Sequence, residues 1–212
     1  MTRIMGDSVN YLAIPASVQI AAVYDDGRLG VETAAQLEAR FPHARYGQVF
    51  IDVTGAKPQA QARDWETGDK SGSLEQWVID HNKATGRRDA VVYCNMSTIP
   101  EVRRLTGTQI LGTDYFLWVA TLDGTVVTAG PDHLGSAPYT YPGVIACQVK
   151  GAGLTGGDWD ESLVYDASLW LPVAPPKPAP KPPLVSAARA KAAAEAVVSG
   201  GAVLALYVAE RG

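Results

Sequence analysis

The first 172 residues alternate short apolar runs with polar segments. Each run is nearly continuous in apolar residues, which is typical of strands that are covered on both faces. The predicted strands span residues 17–24, 46–53, 90–94, 115–120 and 144–149. Because polar, helix-compatible segments separate these runs, the pattern predicts an α/β fold.

Three of the intervening segments have helical character. The predicted helices span residues 31–40, 73–83 and 98–105. Ser73 is placed to cap the second helix, and Pro100 fits the first turn of the third. Residues 122–128 instead suggest a hairpin with its turn at Asp123 and Gly124. The alternation indicates parallel strands with covering helices, in either an open doubly wound sheet or a small β/α (TIM-like) barrel, complete or incomplete.

A proline-rich segment marks the clearest boundary in the chain. Residues 173–185 carry repeated prolines, which favour an extended and semi-rigid polyproline II conformation. We therefore expect a β/α domain over 1–172, a Pro-rich linker over 173–185 and an Ala-rich, helical or apolar tail over 186–212. The tail is either a loosely ordered end or a tether that docks on a larger assembly, since a short helix without a core needs a partner.

The charge balance narrows the class of partner. The 212 residues include 18 Lys and Arg against 22 Asp and Glu, which gives a formal charge of -4. Because this balance leaves no surplus of positive charge for a phosphate backbone, we expect no nucleic-acid partner. The apolar stretch at 192–209 is short for a bilayer span and contains Glu195. We therefore expect no membrane partner.

Several classes of site are disfavoured by the motifs of the sequence. It contains no glycine-rich phosphate loop, no HExxH and no GxSxG, which argues against nucleotide hydrolysis, zinc proteolysis and serine-hydrolase chemistry. Cys94 and Cys147 each lie in an apolar run, and we expect both in the core rather than in a disulfide or a metal site. We expect no metal and no cofactor.

Carboxylic acids are the remaining candidates for a catalytic site. Acidic residues follow the strand-like runs at Asp7, Asp25, Asp26, Asp52, Asp64, Glu66, Asp158 and Asp160. In a β/α barrel the carboxyl ends of the strands form the face that carries the active site. Asp52 ends a strong strand run and is therefore a candidate for contact with a substrate in this cleft.

Asp64 and Glu66 have the most informative spacing of these acids. On a strand, residues two apart point to the same face, with attachment points roughly 6.5 to 7 Å apart. Such a pair suits acid-catalysed sugar chemistry, which needs one protonated and one ionised carboxyl. Trp65 and Trp118 are candidates for stacking on sugar rings.

A series of short motifs occurs in an order that resembles a known family. The motifs are Gly6-Asp7-Ser8-Val9, Asp64-Trp65-Glu66-Thr67-Gly68-Asp69, Val91-Val92-Tyr93-Cys94-Asn95-Met96-Ser97, Leu117-Trp118-Val119-Ala120, Cys147-Gln148-Val149 and Asp160-Glu161-Ser162. Over residues 4–172 they resemble the glycoside hydrolase family 25 lysozymes, and more closely the glycoside-hydrolase-like domains of actinobacterial phages and their hosts. The resemblance implies a β/α barrel that cleaves the β-1,4 bond between N-acetylmuramic acid and N-acetylglucosamine in peptidoglycan.

The resemblance also implies roles for individual residues. Glu66 matches the general acid of the family's D-x-E motif, and Asp64 matches the carboxylate that assists it. Asp7 matches the acid of the first strand, and Asp160 matches the acid of the last strand. Three further positions match the family's motifs, namely Tyr93, Trp118 and Gln148. Each is expected either to contact the substrate or to have a packing or supporting role. The run at 57–63 departs from the pattern, because it is too polar for a well-buried strand.

These observations predict a phage virion-associated peptidoglycan glycosidase of the muramidase type that works by acid catalysis. One alternative is a non-catalytic glycan-binding or structural virion protein on the same barrel. Another is a host-type secreted hydrolase whose signal peptide is missing. The expected partners are the peptidoglycan glycan and, through the C-terminal tail, other virion proteins. The first residues lack the apolar core of a signal peptide, which fits a virion protein made in the host cytoplasm.

Overall fold

A computed structural model describes residues 2–24, 39–41, 48–66 and 70–170. Most of the predicted helix at 31–40 lies outside the described residues, as do Asp25 and Asp26. The predicted Pro-rich linker over 173–185 and the tail over 186–212 also lie outside them. The fold and the site are therefore those of the β/α domain.

The described ranges contain ten strands, three complete α-helices and the end of a further helix at Ala39 and Arg40. The strands are β1 (Arg3–Ser8), β2 (Ile20–Tyr24), β3 (Gln48–Asp52), β4 (Ala62–Asp64), β5 (Ala90–Asn95), β6 (Tyr115–Ala120), β7 (Val127–Ala129), β8 (Tyr139–Tyr141), β9 (Val144–Lys150) and β10 (Asp160–Val164). The helices are α1 (Leu74–Thr85), α2 (Ile99–Leu105) and α3 (Ala152–Thr155). None of these described helices has the length and apolar character needed to cross a membrane.

Eight of the strands form a closed barrel. Their order is β1, β2, β3, β4, β5, β6, β9 and β10, and β10 pairs again with β1. Neighbouring strands are parallel from β1 round to β9. Strand β10 is antiparallel to both of its neighbours, β9 and β1. The structure confirms the predicted barrel and excludes the open doubly wound sheet, because the eight strands close on themselves.

Both faces of the barrel strands are buried, which explains their continuous apolar runs. In β5, Val91 and Tyr93 belong to the cluster inside the barrel, whereas Val92 and Cys94 belong to an outer layer that includes α1 and α2. Successive side chains of a strand point to opposite faces, so both faces here need apolar residues. Cys94 and Cys147 are buried free thiols of the outer layer, which confirms that they are core residues.

Helix α1 begins directly after Ser73, as the sequence predicts. It ends at Thr85, two residues beyond the predicted end at residue 83. Ser73 Oγ accepts a hydrogen bond from Gln76 N at 3.2 Å, which satisfies one of the unpaired amides of the first turn. Gly86 follows the helix with φ of 69°, a left-handed conformation that favours glycine. Helix α2 matches the third predicted helix, with Pro100 in its first turn. The buried side chains of α1 are Leu74, Trp77, Val78 and His81.

The predicted hairpin at 122–128 is wrong, although its turn chemistry is present. Asp123 Oδ1 accepts a hydrogen bond from Thr125 N at 2.9 Å, as in an Asx turn. Gly124 N donates to Val149 O at 2.7 Å, which fastens the turn to β9. The strand after the turn, β7, pairs in parallel with β8 instead of folding back on the residues before the turn.

Strand β4 forms at the end of the run that is too polar for a barrel strand on sequence grounds. Its middle residue, Arg63, is fully buried and alternates with Ala62 and Asp64, which face inward. The guanidinium donates to Asp52 O at 2.8 Å and to Ser71 O at 2.8 Å. These bonds satisfy a buried charge, the last carbonyl of β3 and one loop carbonyl. Residues 57–61 form no strand, as their polar character predicts, and the exception is the end of the run, where Ala62 and Arg63 enter β4.

Gly6 lies where the outer face of β1 leaves no room for a side chain. A Cβ at this position would lie 2.8 Å from Ile14 Cγ2, 3.1 Å from Trp159 Cε3 and 3.2 Å from Val18 Cγ1. We expect Gly6→Ala to lower the free energy of unfolding by about 1–3 kcal/mol in urea denaturation, the usual range for overpacking a core. A Cβ at Gly135 would meet no atom within 4 Å, so Gly135→Ala is the control. Equal midpoints for the two variants would contradict the close packing.

Candidate functional site

Acidic side chains gather at one mouth of the barrel, where the carboxyl ends of the parallel strands meet. Asp7 and Asp64 continue the inward-facing alternation of β1 and β4. Asp160 begins β10, and because β10 is antiparallel its first residue lies at the same mouth, opposite Asp7 in the register. Glu66 follows the end of β4 by two residues. We call these four carboxyls the acid cluster.

The members of the acid cluster influence one another's protonation. Burial raises the pKa of Asp7 well above its usual range, and the charges of Asp160, Glu66 and Asp64 raise it further. Both carboxyl oxygens of Asp7 are buried, and neither has a hydrogen-bond partner among the described residues. With no donor to offset the desolvation of a charge, Asp7 favours its protonated form.

A turn, rather than a strand, holds Asp64 and Glu66. Strand β4 ends at Asp64, and Glu66 N donates to Asp64 Oδ1 at 3.0 Å. Trp65 N donates to Tyr93 O at 2.8 Å, which keeps this segment beside β5. Asp64 is buried, whereas Glu66 is half-buried. The expectation that both acids share one face of a strand is wrong, yet both remain close enough to raise the pKa of Asp7.

The pKa of Asp160 is shifted by causes that oppose one another. Burial raises the pKa of Asp160, and the charge of Asp158 acts in the same direction. Hydrogen bonds from Ala152 N and from the side chain of Gln148 oppose this rise, because they stabilise the ionised carboxyl. Asp160 is also half-buried rather than fully buried. The two facing acids therefore have unequal environments.

Tyr24 is the residue of the mouth that sequence reasoning missed. It is the last residue of β2 and lies half-buried beside the acid cluster. Burial raises the pKa of its hydroxyl well above the usual value, and the charges of all four carboxyls raise it further. The hydroxyl is therefore a neutral group facing the acids. The available signal was its place at the end of the predicted strand 17–24, since strand ends carry the functional groups of such barrels.

Tyr93, Trp118 and Gln148 fill the barrel interior next to the acid cluster. Tyr93 Oη donates a hydrogen bond to Gln148 Oε1. The Tyr93 and Trp118 rings lie 4.6 Å apart between centroids, and Trp118 Nε1 donates to Ser162 Oγ at 2.9 Å. The exposures of the three residues are 2%, 0% and 1%, so of the two predicted roles, contact with substrate or support of the site, the structure favours support. Trp118 in particular has no free ring face for a sugar.

Trp65 does not lie in the cleft. It is adjacent to the inward-facing Asp64 and belongs to the outer layer, where its exposure is 4%. Arg63 Cζ lies 5.4 Å from the centroid of its ring. The prediction that Trp65 stacks on a sugar is wrong, because its position in the chain turns it toward the helices.

Asp52 holds a loop together and is not part of the acid cluster. Its Oδ1 accepts hydrogen bonds from Thr54 N, Thr54 Oγ1 and Gly55 N, at 2.9, 3.1 and 2.9 Å. Its Oδ2 accepts hydrogen bonds from Lys57 N at 2.8 Å and from Trp77 Nε1 at 2.9 Å. Burial alone would raise the pKa of Asp52, but these bonds outweigh burial and lower it. The predicted substrate contact is therefore wrong, because internal donors occupy both oxygens.

The acid cluster was also compared with the requirements of a metal site. Over the described ranges, no group of three or more His, Cys, Asp or Glu side chains has an arrangement that could hold a metal ion. What the arrangement can do is proton chemistry, because it places a protonated buried acid beside acids that are more exposed to the mouth.

Replacing Asp7 should stabilise the protein. We expect Asp7→Asn to raise the free energy of unfolding by about 1–3 kcal/mol at pH 7, because it removes an acid that the folded state desolvates without a donor. The pKa of Asp7 is raised in the folded state, so its penalty grows as pH rises above the unfolded value of about 4. The gain should therefore vanish below about pH 4 in urea titrations at several pH values.

The same substitution at an exposed position is the control for Asp7→Asn. Asp132 lies on the surface, so Asp132→Asn should leave the unfolding midpoint unchanged at each pH. A loss of stability in Asp7→Asn at pH 7 would contradict the assignment of Asp7 as a strained, protonated acid.

Comparisons with known proteins add one structural likeness. No protein-family model matches the chain, and no curated protein matches it. A solved structure described as GHIP, a virulence factor and glycosyl hydrolase 25 of Streptococcus pneumoniae that participates in host cell invasion, is similar over 76% of this chain and 86% of its own. The two share 12% sequence identity, and the TM-score is 0.45. The function of this chain is therefore inferred from its own side chains.

Proposed function

We propose that the barrel is a peptidoglycan glycosidase of the muramidase type that cleaves β-1,4 bonds of the glycan by acid catalysis. One observation supports this above all others: four carboxyls from three separate segments of the chain lie close together at one mouth of a closed barrel. Acids that are brought together in this way repel one another and weaken the fold, so a chemical use is the simplest reason to assemble them.

The proposed roles follow from the exposure of each acid. Glu66 is half-buried at the mouth and can reach the glycosidic oxygen of a bound glycan, so it is the proposed general acid. Asp64 lies directly behind it, joined by the Glu66 N to Asp64 Oδ1 bond, and is the proposed assisting carboxylate. Asp7 and Asp160 complete the site from β1 and β10. Such chemistry needs one carboxyl that gives a proton and another that stays ionised beside the sugar.

The choice of peptidoglycan as substrate rests on the order of sequence motifs that resembles family 25 lysozymes. The motif positions Asp7, Asp64, Glu66 and Asp160 are the acid cluster itself. Tyr93 and Gln148, two further motif positions, are joined by a hydrogen bond beside it. The resemblance and the geometry therefore concern the same residues.

The test is cleavage of purified actinobacterial peptidoglycan by the full chain. New reducing ends are measured, then reduced with borohydride, and the modified terminal sugar is identified. Reduced N-acetylmuramic acid is the expected product, whereas reduced N-acetylglucosamine would indicate another bond. No reducing ends, at concentrations where a lysozyme control is active, would overturn the catalytic proposal.

A non-catalytic glycan-binding protein on the same barrel is the second candidate. The observation that favours it is the short β4, which leaves Glu66 on a turn after the strand rather than on the strand itself. Sedimentation of the full chain with insoluble peptidoglycan, without any release of reducing ends, would support this candidate.

A place in the virion is the proposed setting for either activity. The Pro-rich segment at 173–185 and the Ala-rich tail at 186–212 suit a spacer and a tether to other virion proteins. Mass spectrometry of purified particles of the phage that encodes the chain should detect it. Its absence from such particles would contradict the virion proposal and leave the glycosidase proposal standing.

A further inference from the structure

A glycine beside the acid cluster leaves a small gap in the wall of the mouth. Gly151 directly follows β9 and precedes α3. A Cβ at this position would lie 3.8 Å from Leu122 Cδ2 and 3.9 Å from Asp160 Oδ1. Apart from the neighbouring residues of the chain, no other atom of the described residues would lie within 4 Å of it. We call the space between Gly151, Leu122 and Asp160 the notch.

The backbone gives no reason for a glycine at the notch. Gly151 has φ of -80° and ψ of 167°, an extended conformation that any residue adopts. Distances of 3.8 and 3.9 Å are ordinary van der Waals contacts, so an alanine would fit without strain. What a side chain at this position would remove is the notch itself.

Leu122 forms the apolar wall of the notch and has an unfavourable backbone conformation. With φ of 64°, it is the only residue other than glycine that has a positive φ in the described ranges. Such conformations are uncommon for residues with a Cβ and cluster at functional sites. Gln148 O accepts hydrogen bonds from Thr121 N at 3.0 Å and from Leu122 N at 3.3 Å, which hold the loop against β9. The leucine is nevertheless 41% exposed, so the loop presents it at the mouth and not to the core.

Asp160 forms the polar wall and joins the notch to the acid cluster. It is half-buried at the start of β10 and faces Asp7 across the strand register. Asp7 has two buried oxygens, and neither has a hydrogen-bond partner among the described residues. The notch therefore offers an acceptor on one side and an apolar surface on the other, at the edge of the proposed catalytic site.

An acetamido group matches these two walls. Its amide is planar and trans, so the N–H and the methyl group lie on the same side of the C–N bond. The N–H can donate to Asp160, while the methyl group contacts Leu122 and is removed from water. A hydroxyl, the group on the same carbon of glucose, has no methyl for the apolar wall. Both sugars of the proposed substrate, N-acetylmuramic acid and N-acetylglucosamine, carry an acetamido group.

We propose that the notch is a subsite for the acetamido group of a glycan sugar and that Gly151 and Leu122 determine this specificity. The inference deepens the proposed function and rests on it for the identity of the glycan. The acetamido N–H donates to Asp160, and the methyl group packs between Leu122 and the backbone of Gly151. The barrel thereby distinguishes N-acetylated glycans from glycans of glucose.

Binding of two neutral tetrasaccharides tests the notch without any bond cleavage. Tetra-N-acetylchitotetraose and cellotetraose have the same β-1,4 linkage and differ in the group at C2, which is acetamido or hydroxyl. Neither contains N-acetylmuramic acid, so the bond of the proposed reaction is absent from both. Calorimetric titration of the full chain should give a Kd about tenfold lower or better for the acetylated sugar, the usual effect of one fitted apolar group.

Gly151→Ala fills the notch and should remove this preference. The Kd of tetra-N-acetylchitotetraose should rise about tenfold or more, whereas the Kd of cellotetraose should stay the same. Gly135→Ala is the matched control and should change neither value, because a Cβ there would meet no atom within 4 Å. A variant that merely disturbed the fold would weaken the binding of both sugars alike.

Leu122→Asn tests the apolar wall. Asparagine tolerates the left-handed backbone, so the loop should persist, but its amide offers no apolar surface to the methyl group. The preference for the acetylated sugar should fall severalfold. Ile110→Asn makes a comparable change at a side chain that is 60% exposed and precedes β6, at the other end of the barrel. It should leave both Kd values unchanged.

The outcomes separate this inference from the proposed function. Equal Kd values for the two sugars, binding of neither sugar, or a folded Gly151→Ala that keeps the preference would overturn the notch proposal. The expected preference in a protein that releases no reducing ends from peptidoglycan would overturn the glycosidase proposal alone. Cleavage of peptidoglycan by a protein without the preference would overturn the notch proposal alone.

Discussion

Glu66→Gln should lower the release of reducing ends from peptidoglycan by about a hundred- to ten-thousandfold, the usual contribution of a general acid. Glutamine keeps the shape of the side chain, and the Glu66 N to Asp64 Oδ1 bond uses the backbone, so the local turn should persist. What the variant lacks is a proton to give to the leaving oxygen. The measurement is the initial rate of reducing-end formation by the full-length variant beside the parent protein.

Two comparisons make the result for Glu66 specific. Glu101→Gln makes the same chemical change on α2, where Glu101 pairs with Lys70 at the surface, and it should leave the rate unchanged. An aryl glycoside of the same glycan has a leaving group that needs little protonation, so Glu66→Gln should lose much less activity on it. Equal losses on both substrates, or a rate within about tenfold of the parent on peptidoglycan, would show that Glu66 is not the general acid.

The barrel strands were predictable because both of their faces are buried. The run 115–120 coincides with β6, and 144–149 lies within β9, since a covered strand needs apolar residues at every position. Strand β4 was not predictable in this way, because the buried Arg63 donates to the carbonyls of Asp52 on β3 and of Ser71, which are tertiary contacts that no local pattern encodes. The direction of β10 was equally hidden, because hydropathy carries no information on strand orientation.

The candidate site was predictable in its acids and not in its aromatic residues. Acids near the carboxyl ends of parallel strands meet at one mouth of a barrel whatever the details of packing, so Asp7 and Asp64 could be grouped from sequence. Asp160 joins them from the start of β10, because that strand is antiparallel. A continuous apolar run, however, does not reveal which alternate residues face inward. Trp118, which lies in such a run, is inside the barrel. Trp65 lies in a polar segment and is in the outer layer, so neither tryptophan is at the mouth. For the same reason the sequence did not identify Tyr24, whose side chain faces inward and lies beside the acids.

The largest loss of stability is expected at Asp52. Its carboxylate accepts five hydrogen bonds, four from the loop after β3 and one from the indole of Trp77 on α1. Asn keeps the Oδ1 acceptor but places an NH₂ group opposite two donors, Lys57 N and Trp77 Nε1. We expect Asp52→Asn to lower the free energy of unfolding by about 3–5 kcal/mol, since buried donors lose their partners and an anionic acceptor is lost. Urea denaturation at pH 7 measures it.

A second acidic turn provides the matched control for Asp52→Asn. Asp123 also accepts a backbone hydrogen bond two residues ahead, from Thr125 N at 2.9 Å, but it is exposed to solvent. In Asp123→Asn the Oδ1 acceptor persists and water solvates the rest, so the unfolding midpoint should not move. A similar loss in both variants would mean that the turn, and not the buried link between β3 and α1, carries the effect.

The pH dependence of Asp52→Asn distinguishes a lost charge from a lost shape. Hydrogen bonds lower the pKa of Asp52 in the folded state, so its contribution is present above the unfolded pKa of about 4 and is lost as pH falls through the lower, folded value. The difference between parent and variant should therefore be greatest near neutral pH and shrink on acidification below about pH 4. Asp7→Asn should show the opposite sign at neutral pH, because there the folded state raises the pKa. The sign of the change in the free energy of unfolding at neutral pH therefore distinguishes the two acids. A loss for Asp52→Asn assigns Asp52 to the fold, and a gain for Asp7→Asn assigns Asp7 to the site.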